Sequence, residues 1–326
     1  MIHDMSTGNL RQAMRRGAAT LLLLAYACLP GVALASESPD ASVWLAKMEK
    51  ALREESYEGI FTYMRGPQFD TVKVVHEFKD NKEIERLASL NGPQREIIRN
   101  GNDVVFRRSR NDKSDVEQVM PLGPFTHAFN QNLSNYQSFY DFAVIGTDRV
   151  AGRPAVKLSI TPKNDDRYGY RLWLDQKTGL LLQSHLVNHG RILEVFQFSR
   201  VDIGEPIKAG DFKSTIADAV EYRLAPMSSK VASAKPDWRA GWLPNGFRLV
   251  SSETPDKLLY SDGIATFSVF VDKGEVSKLG ELTTHMGGTV VITRRLKGSA
   301  QQITVVGEVP VDTARKVADS VESALH

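Results

Sequence analysis

The feature that most constrains this chain is a long stretch in which large apolar residues recur at every second position. Phe61 and Tyr63 alternate with Thr62 and Met64, and Val72, Val74, His76 and Phe78 alternate with neighbours such as Lys73 and Glu77. Period two is the signature of a strand with one buried face. Asp80-Asn81-Lys82, Asn91-Gly92-Pro93 and Asn100-Gly101 punctuate successive runs, and Asn-Gly is a strong hairpin signal. The pattern resumes at 142–150, 155–161, 168–174, 180–187 and 192–201, separated by turns such as Ala151-Gly152-Arg153-Pro154 and Asn188-His189-Gly190. The expectation is one large antiparallel meander from residue 59 to about 203, which must bury one face.

Two segments are suited to cover that face. Val43, Trp44, Met48, Ala51 and Leu52 recur at helical spacing, with Asp40 as N-cap. Between Pro121 and Tyr140 the sequence is irregular and aromatic, which predicts a helical lid. Residues 217–236 are poor in large apolar groups around Ser228-Ser229-Lys230, which predicts a linker. Beyond it, strands are predicted at 248–251, 257–260, 264–271, 289–296 and 302–308. A helix from Val311 to Leu325, capped by Asp312, follows. The fold class is therefore α+β: a large β domain over 36–216 and a smaller α+β domain over 237–326.

At the start, Arg11, Arg15 and Arg16 precede an apolar run from Ala18 to Leu29 and the small-x-small pattern Ala33-Leu34-Ala35. That order predicts a secretory leader over residues 1–35 and export to the periplasm. The apolar run is shorter than the ~20 residues a spanning helix needs. Cys28 is the only cysteine, so cleavage leaves a chain with no disulfide and no thiolate chemistry. Cleavage also leaves 38 basic and 38 acidic residues, a neutral balance that argues against nucleic acid as partner.

The motifs of enzymes are missing: no GxGxxG, GxxxxGK[ST], GxSxG or HExxH occurs. His185 and His189 are four apart, but they bracket a predicted turn rather than share a helix face, which argues against a metal site. His76-Glu77 and Asp165-Asp166 read as solvated surface. No cofactor is implied, and the expected role is binding rather than catalysis. For an apolar, lipid-sized cavity the candidates are Phe61, Tyr63, Val74 and Phe78, which alternate on the early strands. For an anionic partner they are Arg107, Arg108, Arg294 and Arg295, because guanidinium groups pair with carboxylates and phosphates. A charged strand edge also serves simply to prevent aggregation.

Four strings carry a resemblance. They are Val150-Ala151-Gly152-Arg153-Pro154-Ala155-Val156; Arg167-Tyr168-Gly169-Tyr170-Arg171-Leu172-Trp173-Leu174-Asp175 with Thr178-Gly179-Leu180; Gly263-Ile264-Ala265-Thr266-Phe267-Ser268-Val269-Phe270; and Val305-Val306-Gly307-Glu308-Val309-Pro310. Together they resemble the RseB/MucB family, negative regulators of the envelope-stress sigma factor. The resemblance implies an open β-barrel with helical cover, similar to periplasmic lipoprotein carriers, joined to a smaller C-terminal domain. It implies binding to the periplasmic segment of a single-span, RseA/MucA-like anti-sigma factor and protection of that segment from site-1 proteolysis. Lipid or lipopolysaccharide would relieve the inhibition. It transfers no catalytic residue and leaves open whether the chain self-associates. The competing reading is a periplasmic lipid or lipoprotein carrier.

Overall fold

The computed structural model of the chain describes residues 40–112, 136–224, 234–272, 280–296 and 301–324. The first helix, α1 (Ala41–Glu54), starts where Asp40 accepts hydrogen bonds from the amide and hydroxyl of Ser42 at 3.2 and 2.9 Å. Ten strands follow: β1 (Tyr57–Arg65), β2 (Gln68–Lys79), β3 (Lys82–Ser89), β4 (Arg95–Asn100), β5 (Asp103–Ser109), β6 (Tyr140–Val150), β7 (Arg153–Pro162), β8 (Gly169–Asp175), β9 (Leu181–Asn188) and β10 (Arg191–Ile203). They form one antiparallel sheet with β11 (Ala219–Leu224), in the order β11-β5-β4-β3-β2-β1-β10-β9-β8-β7-β6. β1 pairs with β10, so two meanders are joined through their first and last strands, and the end strands β11 and β6 do not pair with each other.

The sheet wraps around α1. Leu45, Met48 and Ala51 share a single buried cluster with Phe61, Val74, Leu87, Ile97 and Phe106 from one meander and Leu158, Leu172 and Phe196 from the other. Alternation explains this: the inward residues of each strand are the apolar ones of the period-two pattern.

The second, smaller sheet has the order β13-β14-β15-β18-β17-β16. Its strands are β13 (Arg248–Thr254), β14 (Lys257–Ser261), β15 (Thr266–Asp272), β16 (Leu282–Met286), β17 (Thr289–Arg295) and β18 (Gln302–Gly307). The helix α2 (Val311–Asp319) buries Ala314, Val317 and Ala318 in the same cluster as Val290, Ile292 and Val305. A short pair, β12 (Trp238–Ala240) with β19 (Val321–Ser323), joins the last strand to the segment that leads into the small sheet. Among the described residues no helix is long and apolar enough to cross a membrane.

The structure corrects several expectations. The expected linker begins as a strand: Ala219–Leu224 pairs with β5, with Tyr222 opposite Phe106, so the large sheet extends to residue 224. The terminal helix stops at Asp319, because its apolar stripe is exhausted there and Val321 turns into β19. Its N-cap is Pro310, and Asp312 lies in the first turn. Ile264 and Ala265 belong to the turn before β15. Of the predicted lid, residues 121–135 lie outside the described residues, Tyr136 to Phe139 form a turn, and Tyr140 already belongs to β6.

Candidate binding surfaces

The apolar candidates fall on the inner face of the large sheet. Phe61 stands opposite Val72 on β2 and Phe198 on β10, with its ring 5.0 Å from that of Phe196. Phe61, Tyr63 and Val74 are buried in the core cluster with α1. The Tyr63 hydroxyl donates to Glu194, a contact between neighbouring strands β1 and β10. Phe78 lies farther along β2, half-buried and outside that cluster. The face ends there in a polar group: His76 is 1% exposed, stacks on Tyr57 at 4.9 Å, hydrogen-bonds through Nδ1 to the Glu55 carbonyl at 2.8 Å and lies 3.4 Å from Glu83. The expectation of a solvated His76 is thus wrong, because it shares strand parity with Val72 and Val74.

The four arginines are not brought together into one patch. Arg107 and Arg108 sit on β5, and Arg294 and Arg295 on β17 of the second sheet. Arg107 pairs with Glu221 of β11 at 2.6 Å. Arg108 donates to the Tyr222 hydroxyl at 2.6 Å and the Asp112 carbonyl at 2.7 Å, with its guanidinium 5.2 Å from the Tyr222 ring. Arg294 reaches the Thr293 carbonyl at 3.1 Å and Glu281 at 3.9 Å. Arg295 is exposed. Three of the four therefore hold intramolecular partners, on strands that are flanked on both sides within their sheets. The two histidines also separate: His185 packs on Trp173 at 4.6 Å, while His189 sits in the β9–β10 turn with φ +45°, 3.7 Å from Asp165. Among the described residues no group of three potential metal ligands occurs.

The most heavily built polar surface is the seam between the two sheets, which sequence reasoning did not find. At one end Arg167, in the β7–β8 loop, lies 3.4 Å from Asp262 in the β14–β15 turn, and both side chains are completely shielded from solvent. Arg167 Nη2 donates to the Asn245 carbonyl at 2.5 Å, and the guanidinium sits 5.2–5.4 Å from the rings of Phe139, Tyr140 and Phe247. Such aromatic faces stabilise a desolvated cation. Asp262 accepts from the amides of Ile264 and Ala265 at 2.9 and 2.8 Å, and from the Tyr140 hydroxyl at 2.9 Å. Burial and the Asp262 carboxylate push the Tyr140 hydroxyl well above its ordinary range. Gly263 has φ +99°, and a Cβ there would stand 2.1 Å from the Tyr136 ring, so only glycine admits this docking.

Farther along, Tyr168 donates to the Val309 carbonyl at 3.0 Å and Thr313 to the Asp166 carbonyl at 3.1 Å. Asp166 therefore belongs to the seam rather than to the free surface. Replacing Thr313, which is 1% exposed, by valine keeps its shape and removes one hydrogen bond. The expected cost is about 0.5–1.5 kcal/mol, read as a lower urea midpoint with an unchanged slope. The last contact is Glu194 of β10, which accepts the Gly288 amide of the β16–β17 turn at 2.8 Å.

Both halves of this arrangement match one family in order. The model of the MucB/RseB N-terminal domain covers residues 40–216, and that of the MucB/RseB C-terminal domain covers residues 232–322. The chain belongs to the MucB/RseB family. It is 36% identical over 316 residues to the sigma factor AlgU regulatory protein MucB of Pseudomonas aeruginosa, covering 93% of this chain and 96% of that protein. It is 30% identical over 299 residues to the sigma-E factor regulatory protein RseB of Haemophilus influenzae, covering 88% and 92%. Among solved structures, MucB in the Pseudomonas aeruginosa MucA/MucB complex superposes with a TM-score of 0.70 at 35% identity, covering 88% of this chain and 99% of that one. MucB in complex with MucA(peri) gives 0.69 at 34% identity, covering 88% and 100%. The relatives of this MucB/RseB protein are thus named as regulatory proteins.

Proposed function

We propose that this MucB/RseB-family chain is a periplasmic regulator that binds the periplasmic segment of a single-span anti-sigma factor and shields it from site-1 proteolysis. Lipid or lipopolysaccharide binding relieves the inhibition, and no bond is made or broken by the chain itself. The observation that carries this reading is the match of both domains, in order and over most of the chain, to MucB as it stands in complex with MucA. The inner face of the large sheet has the apolar character an acyl chain needs, but Phe61, Val74 and Phe106 are covered there by α1, so a chain would reach them only where that cover gives way. In physical terms the regulation is linkage: a ligand that prefers the state unable to hold the anti-sigma segment shifts the population away from the complex.

The test is capture of the leaderless protein by the immobilised periplasmic segment of its anti-sigma factor, with and without lipopolysaccharide, followed by exposure of the captured segment to the site-1 protease. Binding that lipopolysaccharide weakens, together with slower cleavage in the complex, is the expected result. No binding, with acyl lipid copurifying, would replace this reading by that of a lipid carrier.

A further inference from the structure

Two carboxylates meet across the seam. Glu194 comes from β10 of the large sheet, and Glu308 follows β18 of the small one. Both line a single cavity of about 10 Å³, with Tyr63, Tyr170 and Ser184 among its walls. That volume is room for about one water. Glu194 is 4% exposed and already accepts two donors, the Tyr63 hydroxyl and the Gly288 amide. Glu308 is half-buried, less enclosed than Glu194, yet two like charges that line one cavity of this size repel each other.

We propose that this meeting is a proton-operated latch: the seam closes tightly when Glu308 holds a proton beside Glu194, and loosens when Glu308 gives the proton up. The groups facing Glu308 are Glu194 from β10, Tyr63 and Arg65 from β1, Tyr168 from the β7–β8 loop and Tyr170 from β8. Arg65 is the cation of the set and opposes the effect. The tyrosines are held neutral, since burial and the two glutamates push their hydroxyls up, that of Tyr168 to about 12. Burial first, and then Glu194, raise the Glu308 carboxyl from 4.5 to about 7. Opening the seam would return Glu308 to water and to its ordinary value.

The direction follows from proton binding. The closed seam holds a proton that the open one releases, so closure is favoured at low pH. The advantage declines as pH rises from the ordinary carboxylate value and is lost once the pH passes about 7. A shift of that size corresponds to a change on the order of a hundredfold in the closed-to-open ratio. The latch acts on the seam itself and does not depend on which partner the protein holds.

The experiment uses the leaderless chain, which contains no cysteine of its own, with Glu205→Cys and Asp319→Cys at exposed positions of the two domains, labelled for distance measurement between pH 5 and 8.5. The expected result is a separation that widens as the pH rises between about 4.5 and about 7, while the same chain carrying Glu308→Gln stays closed throughout. Identical pH profiles with and without Glu308→Gln would overturn the latch. Should that variant fail to fold, carbon-13 titration of the Glu308 carboxyl in the unaltered chain decides: a midpoint near 7 supports the proposal, and one in the ordinary carboxylate range refutes it.

Discussion

Asp262→Ala is expected to cost about 3–5 kcal/mol, because it leaves the guanidinium of Arg167 buried and unpaired. Both side chains are fully shielded, and Arg167 Nε and Nη1 have no hydrogen-bond partner even in the intact protein, so the Asp262 carboxylate is the main compensation for that charge. The substitution also strands the Tyr140 hydroxyl and the amides of Ile264 and Ala265. Urea unfolding followed by fluorescence has tryptophans in both domains to report it, Trp173 in the large sheet and Trp238 beside the small one. The small domain should lose most, since Asp262 also organises the turn between β14 and β15. Removing both charges together, as Arg167→Met with Asp262→Leu, should recover much of the loss, because the site is walled by Phe139, Tyr140 and Phe247 and accepts apolar groups. A single variant within 1 kcal/mol of the parent, or a double variant no better than the single, would show that the ion pair does not hold the seam.

Local chemistry explains why some of this was readable from the chain and some was not. The start of α1 was visible because a cap is written within a few residues: Asp40 and Ser42 are neighbours. The hairpin at Asn100-Gly101 was visible for the same reason, with Gly101 at φ +58° as a tight turn demands. His76 was legible but misread: its parity with Val72 and Val74 places it on the inner face, and its polarity was given more weight than its position. β11 was legible but misread: Val220, Tyr222 and Leu224 alternate with Glu221 and Arg223 as a strand does, and the Ser- and Ala-rich stretch after them was given more weight than that short pattern. The seam was hidden for a deeper reason. Arg167 and Asp262 lie in separate turns of separate sheets, and no periodicity or short motif reports a contact that only the docking of two folded units creates. Three of the four arginines chosen for charge alone have partners beside them, contacts that a basic run in the sequence does not report.

The segment that carries the chain from β10 to β11 crosses the face of the sheet opposite α1, and one buried pair fastens it there. Arg86 of β3 and Glu96 of β4 are 2.5 Å apart with side chains 6% and 2% exposed. Glu96 also accepts from the amide and hydroxyl of Thr215 at 3.1 and 2.8 Å, while Arg86 donates to the Asp211 carbonyl at 3.2 Å. Glu96→Ala leaves Arg86 buried without its carboxylate and unties residues 211–215, for an expected loss of about 3–5 kcal/mol in urea unfolding at neutral pH. Because β11 is reached only through this segment, backbone amide exchange along Ala219–Leu224 should quicken more than along β7 or β8. The pH dependence separates charge from shape. Burial alone would raise the Glu96 carboxyl, but donors from Ser214, Arg86 and Thr215 outweigh it and hold the group below its ordinary 4.5. A carboxyl lowered in the folded state contributes stability above its unfolded value and loses it as the pH falls through the lowered one. Glu96→Gln, which keeps the shape, should therefore be less stable than the parent at pH 7 and converge on it as the solution is acidified below about 4.5. A gap between the two that stays constant down to acid pH would mean that the strap is held by packing and not by the charge of Glu96.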